Sequence, residues 1–134
     1  MPAVLDGLIG LTPQYIQFAY TVGEQAEKRR QFAAKTGFPN VIGVIDCTHI
    51  AIKAPNKAEE NDYVDRRRDH SINVQAICDA DYLMTNVVAR WPGSTHDTFI
   101  LRNSSVGRRL EAGAARDGWL LGMLSIIIIV LDWV

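Results

Sequence analysis

The chain has 134 residues, 48% of them hydrophobic and 22% charged, and its 14 Lys plus Arg against 15 Asp plus Glu leave a formal net charge of −1. That composition excludes a disordered, collagenous or disulfide-stapled chain, and the length predicts a single domain. With a pI ≈ 6.3 no whole-chain field draws in nucleic acid, so polynucleotide contact has to rest on a local patch or on bound cations.

The opening stretch MPAVLDGLIGLTPQY has neither the basic segment nor the small-residue cleavage site of a signal peptide. Cys47 and Cys78 stand outside any CxxC pattern, so a reducing intracellular compartment is expected. The longest uninterrupted apolar run, Ile126 to Leu131, is far shorter than the roughly 20 residues a membrane-spanning helix needs. Thr12 before Pro13 predicts a helix start. Ile16, Ala19, Tyr20 and Phe32 recur at helical spacing, Gly23 predicts a break into two pieces, and Gly37 followed by Pro39 predicts the end. The mixed-sign face of Glu24, Glu27, Lys28, Arg29, Arg30 and Lys35 predicts a solvated surface rather than a DNA-contacting one.

At Val41 the period changes. VIGVIDCTHIAIK, bounded by Pro39 and Pro55, predicts a strand buried on both faces. The polar loop 54–69 carries Arg66, Arg67 and Arg68, but Lys57 plus these three face five acids, Glu59, Glu60, Asp62, Asp65 and Asp69, which favours a solvated loop over a phosphate-contacting patch. HSINVQAIC (70–78) and LMTNVVARW (83–91), joined by the acidic turn 79–82, predict an antiparallel hairpin and hence a three-stranded meander. Pro92 and Gly93 stop the third strand. Ser94-Thr95-His96-Asp97 opens a helix to about Ala112, with Phe99, Val106 and Leu110 on its inner side, and Gly113 ends it. A fourth strand begins at Gly118-Trp119-Leu120-Leu121. The closing MLSIIIIVLDWV couples high β-propensity to little charge, which predicts aggregation or pairing with the fourth strand.

Asp46 is the most informative residue, mid-strand among apolar neighbours. Val44, Asp46, Thr48, Ile50 and Ile52 share one face by the period of two, and a buried carboxylate there is costly unless it is hydrogen-bonded, paired or bound to a metal. A strand-end Asp capped by backbone N–H groups is the equally open alternative. Asp97 fits the S-x-x-D capping pattern begun by Ser94, in which the acid reaches back to the N-cap N–H; His96 beside it is expected to be exposed. Cys47 and His49 share a face, and Cys78, His70 and His96 are further potential ligands, but their spacing matches no standard zinc pattern, so small buried cysteines are the better reading. There is no GxGxxG, P-loop, nucleophile elbow or HExxH.

Four segments, GFPNVIGVIDCTHIAIKAP, YVDRRRDHSINVQAICDAD, NVVARWPGSTHDTFILRNSS and DGWLLG, together resemble the Harbinger (PIF-like) transposases and the nucleases derived from them, over roughly Lys28 to Gly122. The resemblance implies an α/β chain with an incomplete RNase H-like fold: N-terminal helices, a three-stranded antiparallel meander, a helix and the start of a fourth strand. It divides the chain into a helical segment (1–37), a partial DDE nuclease core (38–122) and a hydrophobic tail outside the family pattern (123–134).

Acidic side chains of that family converge on one or two divalent cations, Mg2+ or Mn2+, that activate a nucleophile for in-line attack on a DNA phosphodiester. Asp46 matches the first-strand acid and Asp97 the acid of the family's GS-x-x-D segment, so both are expected to be catalytic, metal-side residues, Asp97 as a ligand or behind one. The family's later Asp, in a G-D-S-G-Y segment, and its catalytic Glu have no counterpart after Gly122, so a truncated chain, inactive by itself, is expected. The alternative is a non-catalytic interaction module binding a Myb-like nuclear protein, with the chain in nucleus and cytoplasm.

Overall fold

The computed structural model describes residues 2–114 and 118–122. One sheet organises them, in the order β3-β2-β1-β4. β1 (Val41–Ala51), β2 (Ser71–Cys78) and β3 (Met84–Pro92) form the expected antiparallel meander, and β4 (Trp119–Gly122) lies parallel to β1 on its other side. The β1–β2 ladder runs from Val44 opposite Cys78 to Ala51 opposite Ser71. This mixed sheet with its helices is the α/β, incomplete RNase H-like arrangement expected.

The acidic turn between β2 and β3 is built by Asp79. Its Oδ1 accepts the backbone N–H groups of Asp81 and Leu83 at 2.9 and 3.0 Å, and Lys28 Nζ donates to Oδ2 at 2.9 Å. Burial pushes the Asp79 carboxyl up, but the Lys28 ammonium and the two N–H donors outweigh it and hold the carboxyl below the usual carboxylate range. Tyr82, at φ 62°, completes the turn in the left-handed region.

α1 (Pro2–Tyr15) runs straight through the Thr12–Pro13 pair expected to start a helix. Thr12 Oγ1 turns back to the Leu8 carbonyl, and Ile16 N–H still reaches the Thr12 carbonyl at 2.8 Å, so proline removes one donor without ending the helix. The second helix, α2 (Val22–Thr36), is capped by Thr21 in a reciprocal box with Glu24, which places Gly23 inside it rather than at a break. Gly37, at φ 75°, ends α2 as expected. Its charged face is only partly solvated, because Lys28 and Lys35 reach across to Asp79 and Asp81. α2 also places Phe32 against Val41 and Ala80.

The helix after β3 is interrupted. α3 (Asp97–Arg102) stops at Asn103, Ser104 caps α4 (Ser105–Arg109), and a wider turn over Leu110–Ala114 contains Gly113 at φ 90°. Val106 and Leu110 are buried as expected, but the phase of α3 turns Ile100 and Leu101 inward and leaves Phe99 47% exposed, edge-on to Trp91. The main core joins Ile42, Ile45, Ile77 and Leu120 to Leu101, Val106 and Leu110.

β1 departs most from expectation. Its burial holds from Val41 to Ile45 and is then lost. β4 pairs with β1 only as far as Ile45, so the last six residues have a hydrogen-bonded neighbour on one side alone among the described residues. No described helix is long and apolar enough to cross a membrane. The expectations for the hydrophobic tail fall on 123–134, outside the described residues.

Candidate active site

Directly opposed residues of an antiparallel pair share a face, so Ile45, Cys47 and His49 of β1 stand on the same side as Ile77, Gln75 and Asn73 of β2. The start of α3 lies over that side, anchored by two buried amides. Asn73 Nδ2 donates to Thr95 O and to Asp97 Oδ1, both at 3.0 Å, and Gln75 Nε2 donates to Asp97 O at 3.1 Å. Asn73 is 1% exposed and Gln75 3%. They replace the expected cap: His96, not Ser94, is the N-cap residue of α3 and makes no side-chain cap bond. Asp97 is therefore held by the sheet rather than by a reciprocal box with Ser94, while its place in the first turn of α3 still suits the helix dipole. His96 is exposed, as expected.

Asp46 is exposed, not buried. Its charge is tolerated through contact with water, and the desolvation argument for a metal does not hold at this residue. Its Oδ1 accepts the adjacent Cys47 N–H at 2.8 Å, close to the local backbone capping left open above. What the fold adds is a shared cleft of about 540 Å³ that Asp46 and Asp97 both border, at the C-terminal end of the parallel β1–β4 pair, with Gly122 on its rim. In α/β sheets, ligands collect at such strand ends.

Cys47 lies between the two acids. Burial pushes its thiol up to about 12; Gln75, which donates to Sγ at 3.4 Å, opposes the rise, while the hydrogen-bonded Asp97 carboxylate and the charge of Asp46 add to it. With no cation beside it, the group is a protonated thiol rather than a nucleophile. The zinc set does not assemble: His70 is taken by Glu60 at 3.0 Å, and no three His, Cys, Asp or Glu side chains among the described residues sit close enough to hold an ion.

Two further polar groups on the wall of this cleft, His49 and Asp65, are joined through the buried Ser71. His49 Nδ1 lies 3.0 Å from Ser71 Oγ, which donates to Asp65 Oδ2 at 3.1 Å. The Asp65 side chain is 7% exposed, and its Oδ1 accepts the backbone N–H groups of Arg67 and Asp69 at 2.8 and 3.0 Å. Burial pushes the Asp65 carboxyl up, yet those N–H donors, the Ser71 hydroxyl and His49 together hold it below the usual range. Gly93 passes so close that a Cβ there would overlap Ser71 Oγ and sit 2.8 Å from the Ser71 carbonyl oxygen. Arg66, Arg67 and Arg68 are exposed, as a solvated loop requires, with Arg66 also bordering the cleft.

The sequence reading passed over Ser71, Asn73 and Gln75. Their signal was available: polar residues at period two on one face of an otherwise apolar strand. Two buried amides there call for partners, and α3 supplies them.

The profile of the DDE superfamily endonuclease family matches residues 45–123, which include Asp46 and Asp97. HARBI1 of Homo sapiens, named as a nuclease, is 40% identical over 119 residues, 89% of this chain and 34% of that protein. An ALP1-like protein of Arabidopsis thaliana is 34% identical over 69% of this chain and 23% of its own length. A second protein of that plant, named as an antagonist of like heterochromatin protein 1, is 29% identical over the same shares. The chain spans about a third or less of the length of these curated relatives. No solved structure matches the chain.

Proposed function

The chain belongs to the DDE superfamily endonucleases, as a Harbinger-derived nuclease-like domain, and from that membership we propose that its cleft is the carboxylate-bearing wall of a centre for divalent-metal-dependent cleavage of DNA phosphodiesters. The observation that carries this reading is the meeting of Asp46 and Asp97, from β1 and from the start of α3, on one cleft at the end of the parallel strand pair.

The donor chemistry fits a hard cation: the two acids bring carboxylate oxygens, the donors that Mg2+ or Mn2+ prefer. Asp46 and Asp97 would hold the ion, and its chemistry there is Lewis-acid polarisation of a phosphodiester with activation of the attacking oxygen. Asn73 and Gln75 keep the start of α3, and so Asp97, in place. Two carboxylates carry too little charge to neutralise a pair of cations, so we propose one weakly held ion and no strand cleavage by this chain alone.

Isothermal titration with Mn2+ tests the reading. Binding by the wild type that weakens in Asp46→Asn and in Asp97→Asn is expected; equal binding in all three would refute a metal role for these acids. Plasmid nicking that disappears in Asp46→Asn would overturn the proposed inactivity.

A second reading, a non-catalytic interaction module, is favoured by α1. It has no buried residue and exposes Val4, Leu5, Leu8 and Ile9, each more than half accessible, a surface suited to a protein partner. The proposed partner is a Myb-like nuclear DNA-binding protein, with the chain in nucleus and cytoplasm. Capture of that protein by the wild type but not by Leu5→Glu/Ile9→Glu, with a fluorescent fusion seen in both compartments, is the expected result; capture unaffected by the double substitution would remove α1 from the interface.

A further inference from the structure

The hydrogen-bond chain from Asp65 through Ser71 to His49 is used by none of the chemistry above, and it has a defined polarity. Ser71 has one hydroxyl hydrogen, and Asp65 Oδ2 receives it, because a buried carboxylate oxygen is an acceptor only and its other oxygen already takes two backbone donors. Ser71 Oγ can then meet Nδ1 of His49 only as acceptor, so Nδ1 carries a proton in the neutral ring. Ser71 is 1% exposed and directs Nδ1 inward, while the His49 side chain is 39% exposed and borders the cleft. The ring therefore turns Nε2 toward the space shared with Asp46 and Asp97.

We propose that His49 is a substrate-contacting residue of this cleft, locked by Ser71 and Asp65 with its proton on Nδ1, so that Nε2 donates to a phosphodiester oxygen only when the imidazole is protonated. The proposal rests on the DNA-cleft reading above. In the neutral form Nε2 presents a lone pair to the phosphate and repels it. In the protonated form it presents an N–H and a positive charge, with Asp65 Oδ2 lying 3.9 Å from Nδ1. The other charged or titratable groups bordering the same space are Arg66 from the loop, Asp46 and Cys47 from β1, and His96 and Asp97 from the start of α3. Of the other two histidines, His70 is bound to Glu60 and His96 has no side-chain bond at its cap position, so neither shares the locked geometry.

Two measurements on the full chain test this. Nitrogen-15 NMR of the wild type should find the neutral His49 ring protonated on Nδ1, and Ser71→Ala and Asp65→Asn should each shift it toward the Nε2–H form; a wild-type ring protonated on Nε2 would overturn the proposal without touching the nuclease reading. Fluorescence anisotropy with a labelled short DNA duplex, in chelator and without metal, should tighten about fivefold between about pH 8 and about pH 5. His49→Gln should abolish that tightening, while His70→Gln and His96→Gln retain it. Metal-free binding that is indifferent to pH in the wild type, or still pH-dependent in His49→Gln, refutes the role of His49 alone. Absence of metal-free DNA binding at every pH refutes this role, and absence of binding with Mn2+ present as well refutes the DNA-cleft reading.

Discussion

Asn73→Leu separates the chemistry of the site from the stability of the fold. Asn73 is 1% exposed, its Nδ2 serves Thr95 O and Asp97 Oδ1 at 3.0 Å each, and its Oδ1 is buried with no partner. Turning the amide over would set its oxygen against both acceptors, so the orphaned oxygen is inherent in the geometry. Leucine keeps the branch at Cγ but is larger, and in a site this buried the overpacking costs about 1–3 kcal/mol. It forfeits one neutral hydrogen bond, about 1 kcal/mol, and one to a carboxylate, about 1.5 kcal/mol, the low end because Asp97 is exposed and water replaces the donor. It also removes an unsatisfied buried oxygen, a gain of about 1–3 kcal/mol, and buries apolar surface. The two hydrogen-bond contributions are offset by removal of the orphaned oxygen and the overpacking is not, so the unfolding free energy from a urea melt should fall by about 1–3 kcal/mol with the m-value unchanged. Asp97 keeps the Gln75 bond to its backbone carbonyl and its contact with the Cys47 thiol but loses its Asn73 donor, and Mn2+ affinity by isothermal titration should fall about tenfold. A loss of stability above about 3 kcal/mol, or Mn2+ affinity unchanged in the folded variant, would refute the reasoning.

Gly93→Ala should destabilise by about 1–3 kcal/mol in a thermal melt, because the new methyl group meets Ser71 Oγ and the carbonyl oxygens of Ser71 and Tyr63, and backbone cannot give way cheaply. Asp79 has a folded-state pKa below its unfolded value, so its contribution is present above the ordinary carboxylate range of about 4 and is lost as pH falls through the depressed value; acid melts of the wild type should lose stability below about pH 4 more steeply than melts of Asp79→Asn. At neutral pH Asp79→Ala should cost about 2 kcal/mol, since Lys28 and two turn N–H groups lose their acceptor. Tyr82→Gly should stabilise by about 1 kcal/mol, because Tyr82 is 89% exposed and holds a left-handed φ that glycine adopts freely.

Elements whose signal is local were legible in advance. The three-stranded meander follows from apolar runs separated by turn residues, and Gly37 ends α2 because its positive φ suits a residue without Cβ. Helix starts failed where two local patterns compete: Thr12–Pro13 and Ser94–Asp97 both look like N-termini, yet Thr12 bonds back to Leu8 and Asp97 is claimed by Asn73. Phe99 was assigned to the wrong face because the break at Asn103–Ser104 shortens α3 and shifts its phase relative to one continuous helix.

By itself the sequence determined the strand order along the chain, the family, and two acids worth testing, since letters and short periods carry those. Only the tertiary structure decided that Asp46 faces water, that Asp97 is anchored by β2, and that His49 is wired to Asp65 through Ser71. Those outcomes depend on which side chains meet across some twenty residues of intervening chain. Burial and hydrogen-bond partnership are properties of neighbours in space, and no period along one strand encodes them.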